Sequence, residues 1–384
     1  MKPLSSGSSI ALFYRGIQKG ASDIHLLPQA HGLVLAFRVD GDLREANVLD
    51  RRLQRRIISR IKLLAGMDIA EHRLPQDGRI WLRRAEKEVE IRISVIPNIF
   101  GESVVMRILD KDVAIDLRSL GFRPADYRRL LLLTQRSYGL ILVTGPTGSG
   151  KSTTLFALLK EMIHRPLHII TIEDPVESKI PGVNQIQVNA KIGLTFARVL
   201  RNILRHDPDV IMVGEMRDLE TASIGIEAAL TGHLMLSTLH TNSATDTVTR
   251  LTDIGIPSYL LAPALLGIVS QNLVKRLCPA CRREISRDAE IYSLLQEAGL
   301  STEGPLYEAV GCQQCQETGY LGRVMLYEFL EVNDQLRTAI YKGLGGSALR
   351  EVAVAQGMIP KMQHALELAT QGIISHEDLI RVLI

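Results

Sequence analysis

The pattern of apolar and polar positions differs between two parts of the chain, and the first part predicts a small α+β domain. Short apolar runs predict strands, and Asp-Gly pairs predict turns between them. One or two helices are expected among these strands. The predicted strands are Leu33–Val39, Val89–Ile96 and Ser103–Ile108, and the predicted turns are Asp40-Gly41 and Asp77-Gly78.

Beyond Asp116 the pattern changes to apolar strand, glycine-containing turn and helix, repeated along the chain. The segments LILV and VIMV, at 140–143 and 210–213, are apolar throughout, as is typical of strands covered by helices on both faces. We therefore predict an α/β fold around a mostly parallel sheet. Its predicted strands are Gly139–Thr144, His168–Ile172, Asp209–Val213 and Leu234–Leu239, and its predicted helices are Ser152–Ile163, Leu194–Arg205 and Glu220–Leu230.

The last third of the chain departs from this repeat. Residues 275–325 hold all four cysteines, and short helical segments are predicted from about residue 333 to the end. We expect an N-terminal domain at 1–116 and a larger domain at 117–384. The larger one would include a four-cysteine subdomain at 275–325 and a helical extension at 326–384.

Composition indicates an ordinary globular protein, with 46% apolar and 23% charged residues. Aromatic residues are only 4%, which disfavours a stacking platform for single-stranded nucleic acid. The longest apolar stretch, Tyr259–Val269, is interrupted by Pro263 and is too short to cross a bilayer. Because the N-terminus lacks the pattern of a secretory signal, we expect the protein in the cytoplasm.

The net charge of +3 is unevenly distributed. Residues 1–118 carry 20 basic and 15 acidic residues, whereas the remainder carries 25 and 27 and is slightly acidic. One basic run has helical spacing and predicts an amphipathic helix with a solvated face. A phosphate-bearing or acidic partner is the alternative interpretation. The run comprises Arg51, Arg52, Arg55, Arg56, Arg60 and Lys62.

A glycine-rich segment after the apolar strand at 139–144 predicts a phosphate-binding loop. Such a loop curls so that main-chain N–H groups and a helix N-terminus face the phosphates. Lys151 would contact the β- and γ-phosphates of ATP, and the Ser152 hydroxyl would bind Mg²⁺. A chance match is disfavoured because both the strand and the helix are in place. The candidate ATP-binding residues are Gly145, Pro146, Thr147, Gly148, Ser149, Gly150, Lys151, Ser152 and Thr153.

Charged groups also flank the next predicted strands. Glu173 and Asp174 follow one strand, Glu215 follows another, and His233 and His240 flank a third. Ligands of parallel sheets bind at the carboxyl edge, so these groups are expected to converge there, with Glu215 close to Mg²⁺ and the attacking water. A helix-capping role for Glu215 and structural roles for the histidines are the alternatives.

The cysteines form two CxxC pairs, Cys278 with Cys281 and Cys312 with Cys315. Two such pairs complete a tetrahedral shell without an open position, which predicts a structural zinc site. A redox role would usually need a CxxC that opens a helix in a thioredoxin-like unit, and that context is missing. The spacing alone does not identify the metal.

Taken in order, these motifs resemble the secretion ATPases of type II secretion systems and type IV pilus assembly. The resemblance covers nearly the whole chain, and the ordered set is far more specific than the phosphate-binding loop alone. The motifs are ASDIHL at 21–26, RLPQDGRI at 73–80, GPTGSGKSTTL at 145–155, TIEDPVE at 171–177, LRHDPDVIMVGEMRD at 204–218, TGHLMLSTLHTN at 231–242, KRLCPAC at 275–281 and GCQQCQETGYLGR at 311–323.

The resemblance implies a homohexameric, ATP-driven motor with a PAS-like N-terminal domain joined to a RecA-like P-loop ATPase domain and a zinc-binding insert. It assigns Glu173 and Asp174 to an Asp box, Glu215 to the Walker B strand, and His233 and His240 to a His box. It also matches Arg79 and Arg92 to arginines that reach nucleotide phosphates, within one chain or across the ring. Salt bridges on a strand surface are the alternative for both arginines.

The implied function is to power type II secretion or type IV pilus assembly from the cytoplasmic side of the inner membrane, with peripheral attachment through platform proteins. The cysteine insert favours this branch over retraction motors. A nucleic-acid translocase or helicase is the competing class, but the slightly acidic ATPase segment favours no nucleic-acid partner. Many members carry a further N-terminal docking domain; a chain without it either docks differently or is truncated.

Overall fold

The structure is a computed structural model that describes residues 8–84, 87–109, 116–287 and 290–383. Contacts divide the chain into two compact units, residues 1–114 and 115–384. The strands predicted from the first part of the sequence lie in the first unit, and the repeated strand and helix pattern lies in the second.

The first unit is a six-stranded antiparallel sheet with two helices packed on one face. The sheet order is β3-β2-β1-β6-β5-β4. Ile24 and Leu35 from the sheet pack with Ile58 and Ile61 in one apolar cluster. The elements are α1 (Ser8–Gln18), β1 (Asp23–Gln29), β2 (Gly32–Val39), β3 (Asp42–Leu49), α2 (Arg51–Leu64), β4 (Gln76–Arg84), β5 (Lys87–Asn98) and β6 (Gly101–Leu109).

The predicted basic amphipathic helix is α2, and its five arginines are exposed. Lys62 is the exception, because it is fully buried; its ammonium forms a salt bridge with Glu102 and donates to the carbonyl of Glu71 at 2.6 Å. A buried cation needs such partners to offset the loss of hydration. The basic run therefore ends in a structural lysine.

The turn predicted at Asp77-Gly78 is wrong, because both residues lie inside β4. A Cβ atom on Gly78 would lie 2.6 Å from the carbonyl oxygen of Ala65, just beyond α2. This glycine therefore allows a close approach of strand and helix rather than a turn.

The second unit is built on a seven-stranded sheet with the order β15-β12-β7-β11-β10-β8-β9. All neighbours are parallel except β12 and β15, so the predicted α/β fold with a mostly parallel sheet is confirmed. The strands are β7 (Gly139–Thr144), β8 (Ile169–Glu173), β9 (Asn184–Gln187), β10 (Val210–Val213), β11 (Leu234–Leu239), β12 (Leu265–Leu277), β13 (Arg283–Glu284), β14 (Tyr307–Glu308) and β15 (Tyr320–Glu331); β13 and β14 form a separate ribbon.

Helices cover both faces of this sheet, which explains why its central strands are apolar throughout. Leu140 and Leu142 pack into one core, and Ile141 and Val143 pack into the other, on the side of α4. The helices are α3 (Pro124–Thr134), α4 (Lys151–Ile163), α5 (Phe196–Ile203), α6 (Leu219–Leu230), α7 (Ala244–Ile254), α8 (Ser258–Ala264), α9 (Glu290–Glu297), α10 (Asp334–Tyr341), α11 (Gly346–Ala355), α12 (Lys361–Thr370) and α13 (His376–Leu383).

The cysteine insert and the C-terminal helices share an apolar core. Ile291 and Leu295 of α9 pack with Leu368 of α12 and Leu379 of α13. Residues 326–331, expected in the helical extension, are instead the end of β15, which pairs with β12 in the main sheet. Within the described residues, no helix is both long and apolar enough to cross a membrane.

Candidate nucleotide site and cysteine cluster

Four parallel strands of the second unit end at one edge of the sheet and bring the candidate groups together. In register, Thr144 of β7 lies beside Leu239 of β11, and Val213 of β10 lies beside Ile172 of β8. The loops after these strands carry the phosphate-binding segment, Glu173, Glu215 and His240. In the sheet order, β11 lies between β7 and β10.

The segment 145–150 forms a tight loop between β7 and α4, and its glycines are required by its shape. Gly148 and Gly150 have φ angles of 79° and 87°, in the left-handed region that favours glycine. A Cβ on Gly145 would lie 2.1 Å from the carbonyl oxygen of Gln271. Pro146, Thr147 and Gly148 are exposed, so the loop is open to a ligand from outside.

Lys151, the first residue of α4, lies across its own loop. Its ammonium donates to the carbonyls of Gly145 at 2.9 Å and Pro146 at 3.0 Å. Burial lowers the pKa of Lys151, while the carboxylates of Glu215 and Glu177 oppose that shift. The lysine is therefore held by its own loop and already lies near acidic residues of this edge.

Gln271 of β12 braces the loop, and sequence reasoning missed it. Its side-chain amide donates to the carbonyl of Ser149 at 2.7 Å, and its amide oxygen accepts from Thr154 at 2.8 Å. Gln271 is buried, so a polar residue in an apolar strand was the available signal. The Ser149 hydroxyl is buried and, in the described part of the chain, has no hydrogen-bond partner. An unpaired hydroxyl at such a loop fits a phosphate ligand.

Ser152 and Thr153 follow in the first turn of α4, and both are partly buried. Beside them, a cavity of about 570 Å³ extends from Gly150 and Thr153 toward α12. Arg276 and Arg323 also line this cavity. Its size and position suit the nucleoside part of a ligand whose phosphates occupy the loop.

Glu215 is the centre of a charged cluster. Its carboxylate lies 2.5 Å from the Arg217 guanidinium and 3.7 Å from Nε2 of His240. Burial lowers the pKa of His240, the charges of Lys151 and Arg217 lower it further, and Glu215 opposes them. A neutral histidine beside a carboxylate is suited to accept or transfer a proton at this edge. Arg217 is a second residue that sequence reasoning missed, although it lies two positions after Glu215.

Glu173 and Asp174 lie at the same edge in different environments. Glu173 is only 4% exposed and accepts hydrogen bonds from Thr171 at 2.6 Å and Gln185 at 2.9 Å. Burial raises its pKa, and these hydrogen bonds oppose the rise. Asp174 is exposed. Glu173 is therefore held in place, whereas Asp174 is accessible.

The structure does not bring His233 to this edge. It precedes β11, where its carbonyl accepts from Gly139 at 3.1 Å and its ring contacts the carbonyl of Ala228 at 3.1 Å. A strand of six residues places its two ends about 20 Å apart. His233 and His240 therefore lie at opposite edges, since the ends of one strand cannot converge.

Arg79 and Arg92 lie in the first unit, directly opposite each other on β4 and β5. Both approach the buried carboxylate of Glu90, at 3.6 Å and 3.8 Å. Arg107 of β6 lies opposite Arg92, so three arginines form a row across adjacent strands. Glu90 partly compensates the charges of Arg79 and Arg92, and Arg107 forms a salt bridge with Asp23 at 2.9 Å, so each arginine of the row already has a carboxylate nearby. Sequence reasoning missed Arg107.

The four cysteine sulphurs form a compact cluster, all within 4.8 Å of one another. Three of the separations are 3.8 Å for Cys278 to Cys312, 3.8 Å for Cys281 to Cys315, and 3.7 Å for Cys312 to Cys315. Tetrahedral zinc with bonds of ~2.3 Å requires sulphur separations of ~3.8 Å. Main-chain N–H groups of Cys312 and Gly319 also donate to the Cys315 sulphur, as expected around a thiolate ligand. The cluster therefore fits zinc.

A phosphate-binding loop at the carboxyl edge of a parallel sheet, with acidic strand ends beside it, defines the second unit as a P-loop nucleotide-binding domain. The family model described as Type II/IV secretion system protein matches residues 9–381. The chain belongs to this family.

Curated relatives match almost the whole chain. A type II secretion system protein E of Klebsiella pneumoniae is 46% identical over 373 residues, which are 97% of this chain and 74% of that protein. The type II secretion system ATPase E of Vibrio cholerae is 46% identical over 376 residues, with the same coverage. The type IV pilus assembly ATPase PilB of Thermus thermophilus is 44% identical over 362 residues, 94% of this chain and 41% of that protein.

Solved structures share the fold. A pilus retraction motor, PilT with bound ADP, is 29% identical with a TM-score of 0.65, and the match covers 97% of this chain and 96% of that one. The Legionella pneumophila ATPase DotB has a TM-score of 0.74, with 100% of this chain and 97% of that one covered. At 20% identity, this second similarity concerns the fold alone.

Proposed function

We propose that this chain is an ATP-hydrolysing motor that powers type II protein secretion or type IV pilus assembly. One observation carries the proposal: the phosphate-binding loop, Lys151, Glu215 and His240 lie at a single edge of the sheet. An ATPase needs these parts, namely a phosphate cradle, a cation for the phosphates and an acid that orients water.

The proposed mechanism starts with the loop. The phosphates of ATP bind the main-chain amides of residues 145–150, and Lys151 leaves the carbonyls of Gly145 and Pro146 for the β- and γ-phosphates. Ser152 would hold Mg²⁺, which would neutralise charge at the phosphates. Glu215 orients the attacking water and accepts its proton, with Asp174 and Glu173 shaping the same edge.

In the proposed mechanism, arginines of the first unit couple ATP hydrolysis to movement. Arg79 and Arg92 lie opposite each other on neighbouring strands, and in the proposed mechanism these two guanidiniums contact bound ATP, within a chain or across a homohexamer. A guanidinium supplied in this way contributes ~10³–10⁵ in rate. Hydrolysis removes the γ-phosphate and with it the anion that these guanidiniums would bind, so their contacts change with the state of the nucleotide.

The other proposed properties follow from the family. The cysteine cluster holds zinc as a structural ion, the protein works in the cytoplasm, and inner-membrane platform proteins hold it at the membrane. Relatives at 44–46% identity are named for secretion or pilus assembly, whereas the retraction motor is 29% identical, which favours assembly over retraction. The near balance of charge, 25 basic and 27 acidic residues after position 118, disfavours a nucleic-acid translocase.

The test is steady-state ATPase turnover across size-resolved oligomers, with wild type and Lys151→Ala. Removing the ammonium should lower kcat/KM by at least about 10³-fold, since it stabilises phosphate charge in the transition state. Lys160→Ala, on the far side of α4, is the control and should stay within about twofold. Wild-type protein without turnover in every oligomer, or an active Lys151→Ala variant, would reject the proposal.

A further inference from the structure

Two charged residues near the nucleotide edge, Glu328 and Lys361, have no role in the mechanism proposed above. Glu328, in β15, is 1% exposed, and Lys361 is the first residue of α12. The main-chain N–H of Lys361 donates to Oε2 of Glu328 at 3.2 Å. Burial of charged groups is unfavourable unless their partners are well placed, so the partners of these two residues are informative.

Both side chains bind the loop that follows β11. The Lys361 ammonium donates to the carbonyl of Asn242 and, at 2.9 Å, to Oδ1 of Asn272. Oε1 of Glu328 accepts from the main-chain N–H of Ala244 at 2.6 Å. Together they fix two peptide groups of residues 240–244, which we call the His240 loop.

The His240 loop has little packing of its own. His240 and Asn242 are exposed, and Thr241 and Ser243 are only partly buried. Ala244, the first residue of α7, is buried in the main core, so the position of residues 240–243 outside this core depends more on hydrogen bonds than on packing. The ring of His240 lies 3.7 Å from Glu215, so a shift of the loop changes the surroundings of the acid directly.

A second connection runs to the phosphate-binding loop. The Thr241 hydroxyl contacts that of Thr247 at 2.7 Å, and the Thr247 hydroxyl lies 3.4 Å from that of Thr144. Thr144 directly precedes Gly145. The His240 loop is thus joined on one side to the phosphate cradle and on the other, through Lys361, to the C-terminal helices.

We propose that Glu328 and Lys361 are positioning residues that hold the His240 loop against Glu215 and thereby set the rate of hydrolysis. This inference rests on the proposed ATPase function. Neither residue contacts the phosphate-binding loop directly, so ATP binding depends little on them. Their loss lowers kcat and leaves nucleotide affinity nearly unchanged.

The pair also predicts a pH limit. Burial lowers the pKa of Lys361 to about 8; Glu328 of β15 and Asp246 of α7 oppose that shift, and Arg350 of α11 adds to it. As pH rises through this value, Lys361 loses its charge, and its hydrogen bonds to Asn242 and Asn272 lose their charged donor. Turnover should therefore decline above about pH 8, and Lys361→Arg, which stays charged, should remove this decline.

The experiment compares kcat, KM and ADP affinity of wild type, Lys361→Met, Lys361→Arg and Glu328→Gln between pH 7 and 9. Lys361→Met should lose about tenfold or more in kcat with ADP affinity within about twofold, as expected for misplaced groups. Hydrogen exchange of residues 240–244 should become faster in the same variant. Lys342→Met, an exposed lysine after α10, is the control and should match wild type.

The outcomes separate this inference from the proposed function. Unchanged kcat in Lys361→Met, or equal losses of kcat, ADP affinity and thermal stability, would overturn the positioning role. If wild type has no turnover, the proposed function fails, and hydrogen exchange alone decides whether the pair holds the loop. If Lys361→Met does not fold, Glu328→Gln and the pH profile of Lys361→Arg decide instead.

Discussion

The cysteine cluster and the nucleotide edge of the second unit differ in how closely their groups match the geometry that a ligand requires. In the cluster, three sulphur separations are already 3.7–3.8 Å, the spacing that a tetrahedral ion requires. At the nucleotide edge, Lys151 bonds to carbonyls of its own loop, and Glu215 is paired with Arg217. In the cluster, the sulphurs are spaced for one ion. At the nucleotide edge, Lys151 and Glu215 are bonded to other groups of the protein.

The difference reflects where the ligands come from. Each CxxC pair is a local turn, so four residues of sequence fix two ligands at once. The nucleotide edge collects groups from four strands and is braced by Gln271 and, as we propose, by Lys361, all distant in sequence.

The largest effect should come from Glu215→Gln, which tests whether the nucleotide edge works through this acid. The amide keeps the shape and cannot accept a proton, so turnover should fall about 10³-fold, or ~4 kcal/mol, with ATP binding retained. The measurement is single-turnover hydrolysis together with ATP binding. Glu227→Gln, exposed on α6, is the control. A Glu215→Gln variant that hydrolyses ATP at the wild-type rate would remove Glu215 from its proposed role.

The same contrast explains which parts of the fold and of the sites could be predicted from the sequence. Periodicity located Gly139–Thr144 and Leu234–Leu239 with the bounds that the structure has. The local motifs, the P-loop and the CxxC pairs, were equally visible, because consecutive residues determine them. The turn at Asp77-Gly78 was predicted wrongly, because this glycine permits a close approach to Ala65, which the pattern alone does not reveal.

Residues that act across the fold could not be found in this way. The sequence alone shows only that these positions are polar: Gln271, Arg107 and Lys361. Their contacts depend on strand pairing and on segments that are distant in sequence. The expectation that His233 lies at the carboxyl edge was wrong for the same reason. Its closeness to His240 in sequence concealed that the whole of β11 separates the two residues.

Cys281→Ser should have the next largest effect and tests whether the two sites are independent. Loss of one thiolate should release the metal and lower the free energy of unfolding by at least about 3 kcal/mol, part of the ~10–16 kcal/mol that zinc contributes in small domains. ATP affinity should change less than about twofold, because nucleotide contacts lie elsewhere. Metal analysis, thermal unfolding and ATP binding measure the three quantities.

Gln314→Ala is the matched control, because this residue is exposed between Cys312 and Cys315 and donates no sulphur. Its metal content and stability should equal those of wild type. Wild-type protein purified without bound zinc would contradict the zinc assignment. A Cys281→Ser variant that keeps its metal but loses ATP binding would contradict the independence of the two sites.

The smallest effect concerns His364, in the helix shared by the two sites. His364 lies in α12, accepts from the main-chain N–H of Tyr327 at 3.2 Å, and stands beside the cavity next to the phosphate-binding loop. Its neighbours Ala365 and Leu368 belong to the apolar core of the cysteine insert. Burial lowers the pKa of His364 to about 4, with the Arg123 charge adding to the effect; the Tyr327 hydrogen bond and Asp126 oppose it.

The sign of the pH effect follows from proton uptake. Between pH 6.5 and 4 the unfolded chain binds a proton at His364 and the folded chain does not, so the free energy of unfolding decreases as pH falls. From pH 6.5 to 5 the loss should be ~2 kcal/mol, and it should be absent in His364→Asn, whose amide oxygen can replace the acceptor. Denaturant unfolding of both proteins across this range measures it, and parallel curves would exclude His364 as the cause.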